Sequence, residues 1–282
     1  MSVNKYSENL YSFYNQQFTI DEVLYENRSD CQDMLLFRNE KFGRVLALDG
    51  IIQTTEADEA CYHEMMVHVP LLSFDNPKNI LVVGGGDGGI IREVLKHPIA
   101  KVTMVEIDGG VVEFSKKYLP NHSQNAFDNE RLNLIITDGA KFVKETPQKY
   151  DVIIVDSTDP IGPGAVLFTQ EFYNDCHNIL SPKGILVTQN GVPFFQKEEL
   201  VQTHERQTAV FVHSSFYVTV VPTYVGGYMT LSFASDTDYS NLSLDKITKR
   251  YQNIGLSRLN YYTPAMHLAA FTLPAFIEQI LK

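Results

Sequence analysis

The chain has 282 residues, of which 44% are hydrophobic and 20% are charged. These values are typical of one large folded domain, alone or with a small addition. Lys and Arg total 23 while Asp and Glu total 34, which gives a net charge of −11 at pH 7. Proteins that bind nucleic acids or anionic membranes present a basic face, so this charge argues against both partners. The charge is compatible with a cationic substrate.

The cysteines indicate a reducing compartment. Cys31, Cys61 and Cys176 lie far apart and form no Cys-x-x-Cys motif, which predicts reduced thiols rather than a disulfide framework. The first residues are polar and lack the apolar stretch of a signal peptide. No apolar run approaches the roughly 20 residues that span a bilayer. We therefore expect a soluble, cytoplasmic protein.

The N-terminal part has the pattern of a small β domain. Between Phe18 and Thr55, short stretches of alternating polar and apolar residues are separated by turn-like segments such as Asp49-Gly50. This alternation predicts an antiparallel meander. So small a sheet is marginal alone, and we expect it to pack against the main domain or a second subunit. We place this N-terminal β domain at residues 1–65 and the second domain at residues 66–282.

The second domain has the pattern of a parallel α/β sheet. After a helix predicted over residues 59–72, the continuous apolar run at residues 79–83 leads through a glycine-rich loop into an apparent helix. Similar runs recur in VTMVEID, LNLIITD, YDVIIVD and GILVTQ, with helical patterns between most of them. Continuous apolar strands alternating with helices predict a parallel sheet covered on both faces. The last part predicts a hairpin around Gly226-Gly227 and a closing helix over residues 268–281.

The glycine-rich loop, Gly84 to Gly89, predicts a nucleoside site. Glycines allow the backbone to approach a ligand, and the helix that follows offers free N–H groups. Glu106 ends the second strand, 22 residues beyond Gly84. An acidic side chain at that place typically accepts hydrogen bonds from ribose hydroxyls.

Asp87, inside this loop, constrains the identity of the ligand. Two like unit charges about 4 Å apart repel by about 4 kcal/mol at an effective dielectric near 20, which disfavours a phosphate beside Asp87. This favours a nucleoside ligand without phosphates, as in the sulfonium cofactors. The carboxylate of Asp87 would repel the carboxylate of S-adenosylmethionine, but it would attract the bare ammonium of decarboxylated S-adenosylmethionine. Asp87 therefore favours decarboxylated S-adenosylmethionine as the co-substrate.

Acidic residues also follow the later strands. Ligands of parallel sheets bind outside the carboxyl ends of the strands. We therefore predict that five carboxylates converge on one crevice: Asp87, Glu106, Asp138, Asp156 and Asp159. Any single one could instead cap a helix, but five at one edge predict a negative crevice that suits a polyamine. Asp138 could accept a hydrogen bond from an adenine amino group.

The chemistry of alkyl transfer from a sulfonium to an amine requires orientation and a nitrogen lone pair. A primary ammonium keeps its proton at neutral pH, so a carboxylate must accept that proton directly or through water. Asp156 and Asp159 could divide the steering and the proton acceptance. We expect no metal and no prosthetic group, because the chemistry requires neither. His63 and His68 are five residues apart, outside the helical spacing typical of a ligand pair.

Taken together, the motifs GGGDGG, VEID, TDG and DSTDP resemble those of the polyamine aminopropyltransferases, the spermidine synthase family. The resemblance extends over nearly the whole chain, from CQDMLLF to YYTPAMHLAAFTLPAF. It implies a Rossmann-like, methyltransferase-type doubly wound sheet with a small N-terminal antiparallel β domain, assembled as a homodimer or homotetramer. It also implies transfer of an aminopropyl group from decarboxylated S-adenosylmethionine to putrescine, giving spermidine and 5′-methylthioadenosine.

The resemblance also implies roles for individual residues. Asp156 would be the proton acceptor and Asp159 an amine ligand. The residues at the family's decarboxylated S-adenosylmethionine positions are Gln32, Asp87, Glu106, Asp138, Gly139 and Pro163. The residues at its diamine positions are Tyr62, His63, Asp87, Asp156, Asp159 and Tyr224. Position 63 is His, as in many bacterial members, where animal members have Gln. Residues 161–167 resemble a loop that closes over the substrates.

Two other functions remain open from the sequence. An S-adenosylmethionine-dependent N-methyltransferase could use the same scaffold, although Asp87 disfavours its co-substrate. A non-catalytic polyamine-binding protein would need no proton acceptor, so the presence of both Asp156 and Asp159 argues against it. The acceptor amine is also open, since cadaverine, agmatine and spermidine differ from putrescine only in length and head group.

Overall fold

The computed structural model describes residues 4–8, 10–28, 32–157, 162–225, 227–256 and 259–282. Three residues named above, Cys31, Asp159 and Gly226, lie outside the described residues, as do the first residue of the 161–167 segment and the side chain of Pro163.

The N-terminal part forms two small antiparallel sheets. The first pairs β1 (Lys5–Ser7) with β2 (Gln17–Thr19). The second is a meander of four strands: β3 (Glu22–Arg28), β4 (Asp33–Asn39), β5 (Gly43–Leu48) and β6 (Ile51–Thr55). The predicted meander is therefore confirmed, but its first stretch is divided between the two sheets. The chain changes partner there, because the N–H of Ile20 donates to Asn4 and that of Asp21 donates to Arg38.

The main sheet has seven strands in the order β12-β13-β11-β10-β7-β8-β9. Five neighbouring strands pair in parallel, and β12 and β13 form the predicted antiparallel hairpin at one edge. The strands are β7 (Asn79–Gly84), β8 (Lys101–Glu106), β9 (Leu132–Ile136), β10 (Tyr150–Asp156), β11 (Leu180–Gln189), β12 (His213–Val220) and β13 (Tyr228–Ser235).

Helices cover both faces of this sheet, as the continuous apolar strands predict. Ile80 and Val82 of β7 pack on one face in a cluster with Met65, whereas Leu81 and Val83 pack on the other face in a cluster with Phe172. The helices are α1 (Glu59–Ser73), α2 (Gly89–Leu95), α3 (Gly109–Tyr118), α4 (Pro120–Ser123), α5 (Gly139–Glu145), α6 (Gln170–Ile179), α7 (Lys197–Thr208), α8 (Leu244–Ile254), α9 (Pro264–Ala270) and α10 (Ala275–Ile280). Among the residues described, no helix is both long enough and apolar enough to cross a bilayer.

The single closing helix predicted over residues 268–281 is wrong. The structure has two short helices there, α9 and α10, and Pro274 is the N-cap of α10. A proline disfavours helical geometry in the residue before it, so the helix cannot continue through Leu273. The division of the chain after residue 65 stays a prediction. Helix α1 crosses that point without a break.

A close contact between β7 and β10 fixes the glycine-rich loop. Gly84 and Gly85 have φ values of +84° and +80°, and the N–H of Gly85 donates to the carbonyl of Asp156 at 3.1 Å. A Cβ atom on Gly84 would collide with that same carbonyl oxygen. The loop that carries Asp87 therefore lies against the end of the strand that carries Asp156.

Substitution Gly84→Ala tests this contact. It introduces both an unfavourable positive φ and a backbone collision, so we expect it to lower the free energy of unfolding by at least about 2 kcal/mol more than Gly255→Ala. Gly255 is a matched control, since its φ is +71° and a Cβ there meets nothing within 4 Å. Urea denaturation of both variants gives the comparison. Equal losses would mean that the contact does not constrain the loop.

Candidate active site

A cleft of about 360 Å³ lies at the carboxyl ends of β7, β8 and β10. It extends to the N-terminal sheets, which contribute residues of β5 and β6 to its wall. The cleft brings together nine of the predicted site residues: Gln32, Tyr62, His63, Asp87, Glu106, Asp138, Gly139, Asp156 and Tyr224. Four of the five acids expected to converge are therefore placed together. The individual roles of these residues stay predictions.

Asp156 is the last residue of β10, and its carboxylate lines the cleft. The hydroxyl of Tyr62 on α1 donates to its Oδ1 at 2.6 Å. Burial, together with the charge of Asp87, raises the pKa of Asp156 to about 6, while His63 and the Tyr62 hydrogen bond oppose this shift. A carboxylate with a pKa near neutrality is a stronger base than an ordinary aspartate and remains mostly ionised at pH 7.

Asp87 is fixed by two hydrogen bonds. Its Oδ1 accepts from the backbone N–H of Gly89 at 2.8 Å, and its Oδ2 lies 3.2 Å from Nε2 of His63. Burial acts against its charge, but the His63 charge and hydrogen bond outweigh burial and hold the pKa of Asp87 well below its usual range. Asp87 is therefore an ionised carboxylate inside the cleft, as the charge argument from the sequence requires.

Glu106 ends β8, and only 9% of it is exposed. Its Oε1 accepts from the backbone N–H of Asp108 at 3.0 Å. Burial raises the pKa of Glu106 to about 7, against the effect of backbone hydrogen bonds from Asp108 and Ile107. A Cβ on Gly86 would lie 3.1 Å from Oε2 of Glu106, so the absence of a side chain there keeps the loop close to this carboxylate.

Asp138 and Gln32 border the Glu106 side of the cleft. The Asp138 side chain accepts from the N–H of Lys141 at 3.0 Å and so caps helix α5 while it lines the cleft. Helix capping and ligand contact, the two interpretations weighed from the sequence, are thus compatible for this residue. Nε2 of Gln32 donates to Asp108 at 3.3 Å, which holds the Gln32 side chain near the start of α3.

The sequence analysis missed two carboxylates. Glu8 is 3% exposed and lines the cleft, where it accepts hydrogen bonds from the N–H of Ile52 and from Gln16. No motif surrounds Glu8, so nothing local could have revealed it. Glu59 accepts from Nδ1 of His63 at 2.5 Å. Their spacing of four residues on one helix face is a signal that could have found this pair.

One nitrogen of His63 and one carboxylate oxygen each of Asp87 and Asp156 lie within 4.8 Å of one another, a spacing that a metal ion could use. Each side chain already has a hydrogen-bond partner in the protein: Glu59 for His63, Gly89 for Asp87 and Tyr62 for Asp156. The expectation that no metal takes part stays a prediction.

Comparison with known proteins identifies the family. Residues 59–245 match the spermine/spermidine synthase domain, and residues 9–56 match the spermidine synthase tetramerisation domain. The chain is 50% identical over 281 residues to polyamine aminopropyltransferase 1 of Pseudomonas aeruginosa, covering 99% of this chain and 98% of that protein. It is also 50% identical over 277 residues to the polyamine aminopropyltransferase of Klebsiella pneumoniae, covering 98% and 96%. The chain belongs to the spermine/spermidine synthase family.

Solved structures agree with this family and with the fold. A crystal structure of spermidine synthase in complex with the transition-state analogue AdoDATO has a TM-score of 0.93 at 36% identity, covering 100% of this chain and 96% of that one. Spermidine synthase from Thermotoga maritima has a TM-score of 0.90 at 35% identity, covering 100% and 95%. The predicted α/β fold with a small N-terminal β part and the predicted aminopropyltransferase class are confirmed.

Because the pKa of Glu106 is raised, we predict that replacing its carboxylate with a neutral side chain stabilises this aminopropyltransferase. Between the unfolded value of 4.5 and the folded value of about 7, the folded state keeps a proton that the unfolded state loses, so stability falls as pH rises through that window. We expect Glu106→Gln to raise the free energy of unfolding by about 1–3 kcal/mol at pH 8 and by much less at pH 5. Urea denaturation at the two pH values measures the difference, and a gain independent of pH would contradict it.

Proposed function

We propose that the protein is a spermidine synthase that transfers the aminopropyl group of decarboxylated S-adenosylmethionine to putrescine, giving spermidine and 5′-methylthioadenosine. The observation that carries this proposal is the pair of partly buried carboxylates, Asp87 and Asp156, at adjacent strand ends of one cleft. Two cations, an aminopropyl ammonium and an acceptor ammonium, suit such a pair. The names of the relatives support aminopropyl transfer in polyamine chemistry, and a similar enzyme solved with AdoDATO is a spermidine synthase.

The co-substrate would lie along the ends of β7, β8 and β9. In this arrangement Asp87 binds the aminopropyl ammonium, Glu106 accepts from the ribose hydroxyls, and Asp138 accepts from the adenine amino group. Gln32 and Gly139 border the same part of the cleft, and we propose that Pro163 completes it. The missing carboxylate of decarboxylated S-adenosylmethionine removes the repulsion that ordinary S-adenosylmethionine would have with Asp87.

The reaction is a displacement at carbon. The acceptor nitrogen uses its lone pair to form a bond to the aminopropyl carbon attached to sulfur, and the carbon–sulfur bond breaks to leave a neutral thioether. That lone pair becomes free when one proton of the acceptor ammonium passes to Asp156, directly or through water, and this proton later leaves to solvent. Tyr62 orients the accepting carboxylate, and we propose that Asp159 steers the amine.

The far ammonium of the diamine requires its own acidic partner. Glu8 is the buried carboxylate on the N-terminal wall of the cleft. Tyr224 lies on the same side, and its hydroxyl donates to the carbonyl of Gln53 at 2.7 Å. We propose that Glu8 receives the far ammonium while the rings of Tyr62 and Tyr224, 6.1 Å apart, border the methylene chain.

We also propose that the protein assembles as a homodimer or homotetramer in the cytoplasm. The segment that matches the tetramerisation domain exposes apolar side chains, since Phe13 is 71% exposed and Tyr14 and Val23 are exposed as well. Exposed apolar side chains of this kind favour burial between subunits.

Analysis of products tests the proposed function. The purified protein is incubated with putrescine and decarboxylated S-adenosylmethionine, and in parallel with putrescine and S-adenosylmethionine. We expect spermidine and 5′-methylthioadenosine in the first reaction alone. N-methylputrescine in the second would indicate a methyltransferase, and no product in either would indicate a binding protein. Repeating the assay with cadaverine, agmatine and spermidine then identifies the preferred acceptor.

Substitution Asp156→Asn tests the proton acceptor. An amide cannot accept the ammonium proton, so we expect turnover to fall by about two to four orders of magnitude. Thermal unfolding should show that the variant stays folded, because Asn can still accept from Tyr62. Turnover close to that of the wild-type enzyme across neutral pH would exclude this role for Asp156.

A further inference from the structure

His63 lies between two carboxylates and is itself almost completely buried, with 2% of its surface exposed. Its Nδ1 is 2.5 Å from Oε2 of Glu59, and its Nε2 is 3.2 Å from Oδ2 of Asp87. An ionised carboxylate only accepts hydrogen bonds, and a neutral imidazole carries a single N–H. Both contacts can be hydrogen bonds at once only if His63 is an imidazolium.

The surroundings of His63 favour this charged form. Arg92 donates to the same Glu59 oxygen at 2.8 Å, which keeps Glu59 ionised and in place. Arg92 is in turn held by Glu93 at 2.7 Å. Although burial alone would lower the pKa of His63, the charges of Asp87 and Glu59 raise it well above the usual value.

The other titratable groups around His63 come from separate elements. His122 of α4 faces it with ring centroids 6.2 Å apart, and burial lowers the pKa of His122, which favours its neutral form. Tyr62 lies beside the ring on α1, and Asp156 of β10 approaches from the cleft. A side chain on Gly89 would collide with the imidazole, so the glycine leaves the space in which the ring sits.

We propose that the His63 imidazolium is the counter-ion of Asp87 before the co-substrate binds. The aminopropyl ammonium of the co-substrate then replaces the proton on Nε2 of His63. This inference rests on the proposed function. As the ammonium arrives, the N–H bond at Nε2 breaks and the proton leaves to solvent. The nitrogen lone pair then accepts a hydrogen bond from the ammonium. Nδ1–H continues to donate to Glu59, so one positive charge at Asp87 replaces another.

Glu59 is a positioning residue in this scheme. It fixes the proton on Nδ1, so the proton that can leave is the one on Nε2, which faces Asp87 and the cleft. Asp87 therefore has a partner both before and after the co-substrate binds, and the partly buried carboxylate is not left unpaired.

Proton release on binding tests the exchange. Isothermal titration calorimetry at about pH 8, in buffers of different ionisation enthalpy, counts the protons released by decarboxylated S-adenosylmethionine and by 5′-methylthioadenosine. Both ligands carry the ribose and adenine, so proton changes at Glu106 cancel in the difference. The ligand ammonium, with a pKa near 10, keeps its proton. We expect the ammonium-bearing ligand to release about one proton more per site.

Three variants locate the source of that proton. His63→Gln should abolish the difference in proton release between the ligands. Asp156→Asn should retain it, and this result would exclude Asp156 as the source of a proton displaced by the sulfonium. His177→Gln is the matched control, because His177 forms a His–Asp pair with Asp236 at 2.8 Å outside the cleft. It should leave the difference unchanged.

The wild-type enzyme supplies a second measurement if His63→Gln does not fold. While His63 is protonated, the affinity for decarboxylated S-adenosylmethionine relative to 5′-methylthioadenosine should increase about tenfold per pH unit. Equal proton counts for two ligands that both bind, or a difference that persists in His63→Gln, would overturn the exchange alone. Failure of both ligands to bind would instead overturn the proposed function.

Discussion

The site depends on the placement of two like-charged carboxylates, Asp87 and Asp156, in one poorly solvated cleft. The Gly85–Asp156 backbone hydrogen bond joins the ends of β7 and β10 and makes this proximity unavoidable. The repulsion between the two carboxylates raises the pKa of Asp156 and not that of Asp87. Asp87 is stabilised as an anion by His63, and Asp156 becomes the more basic member of the pair. One geometric constraint thus produces one firmly ionised carboxylate and one more basic carboxylate, the two properties that the proposed mechanism requires.

The parallel sheet and its acidic edge were predictable from the sequence because both are local properties. Continuous apolar strands, a glycine-rich turn and an acid at each strand end are visible within a few residues, and the topology then brings the ends together. Asp87, Glu106, Asp138 and Asp156 line one cleft for this reason. Their individual roles go beyond what placement alone decides.

The remaining parts of the site depend on contacts between distant segments. Glu8 lies in the cleft only because the segment of β1 and β2 folds against the cleft wall, where Glu8 accepts from Ile52. Nothing in the polar N-terminal sequence indicates that packing. The partner of His63 was missed for another reason. Two histidines on one predicted helix, His63 and His68, suggest a pair of metal ligands, whereas the neighbour that pairs with His63 is Glu59, four residues earlier. The break at Pro274 shows the opposite error, in which apolar spacing was given more weight than a local proline signal.

The cleft wall has two origins. The carboxyl ends of the main sheet supply the carboxylates proposed to act on the reacting centre, whereas β1, β5, β6 and the loops beside them supply Glu8, Gln53 and much of the opposite wall. In the proposed mechanism, bond making and the recognition of acceptor length are therefore assigned to different stretches of the chain. Under that proposal, substitutions in the first 56 residues change which amine fits while Asp87 and Asp156 stay untouched, so one reaction on this scaffold accommodates different polyamines.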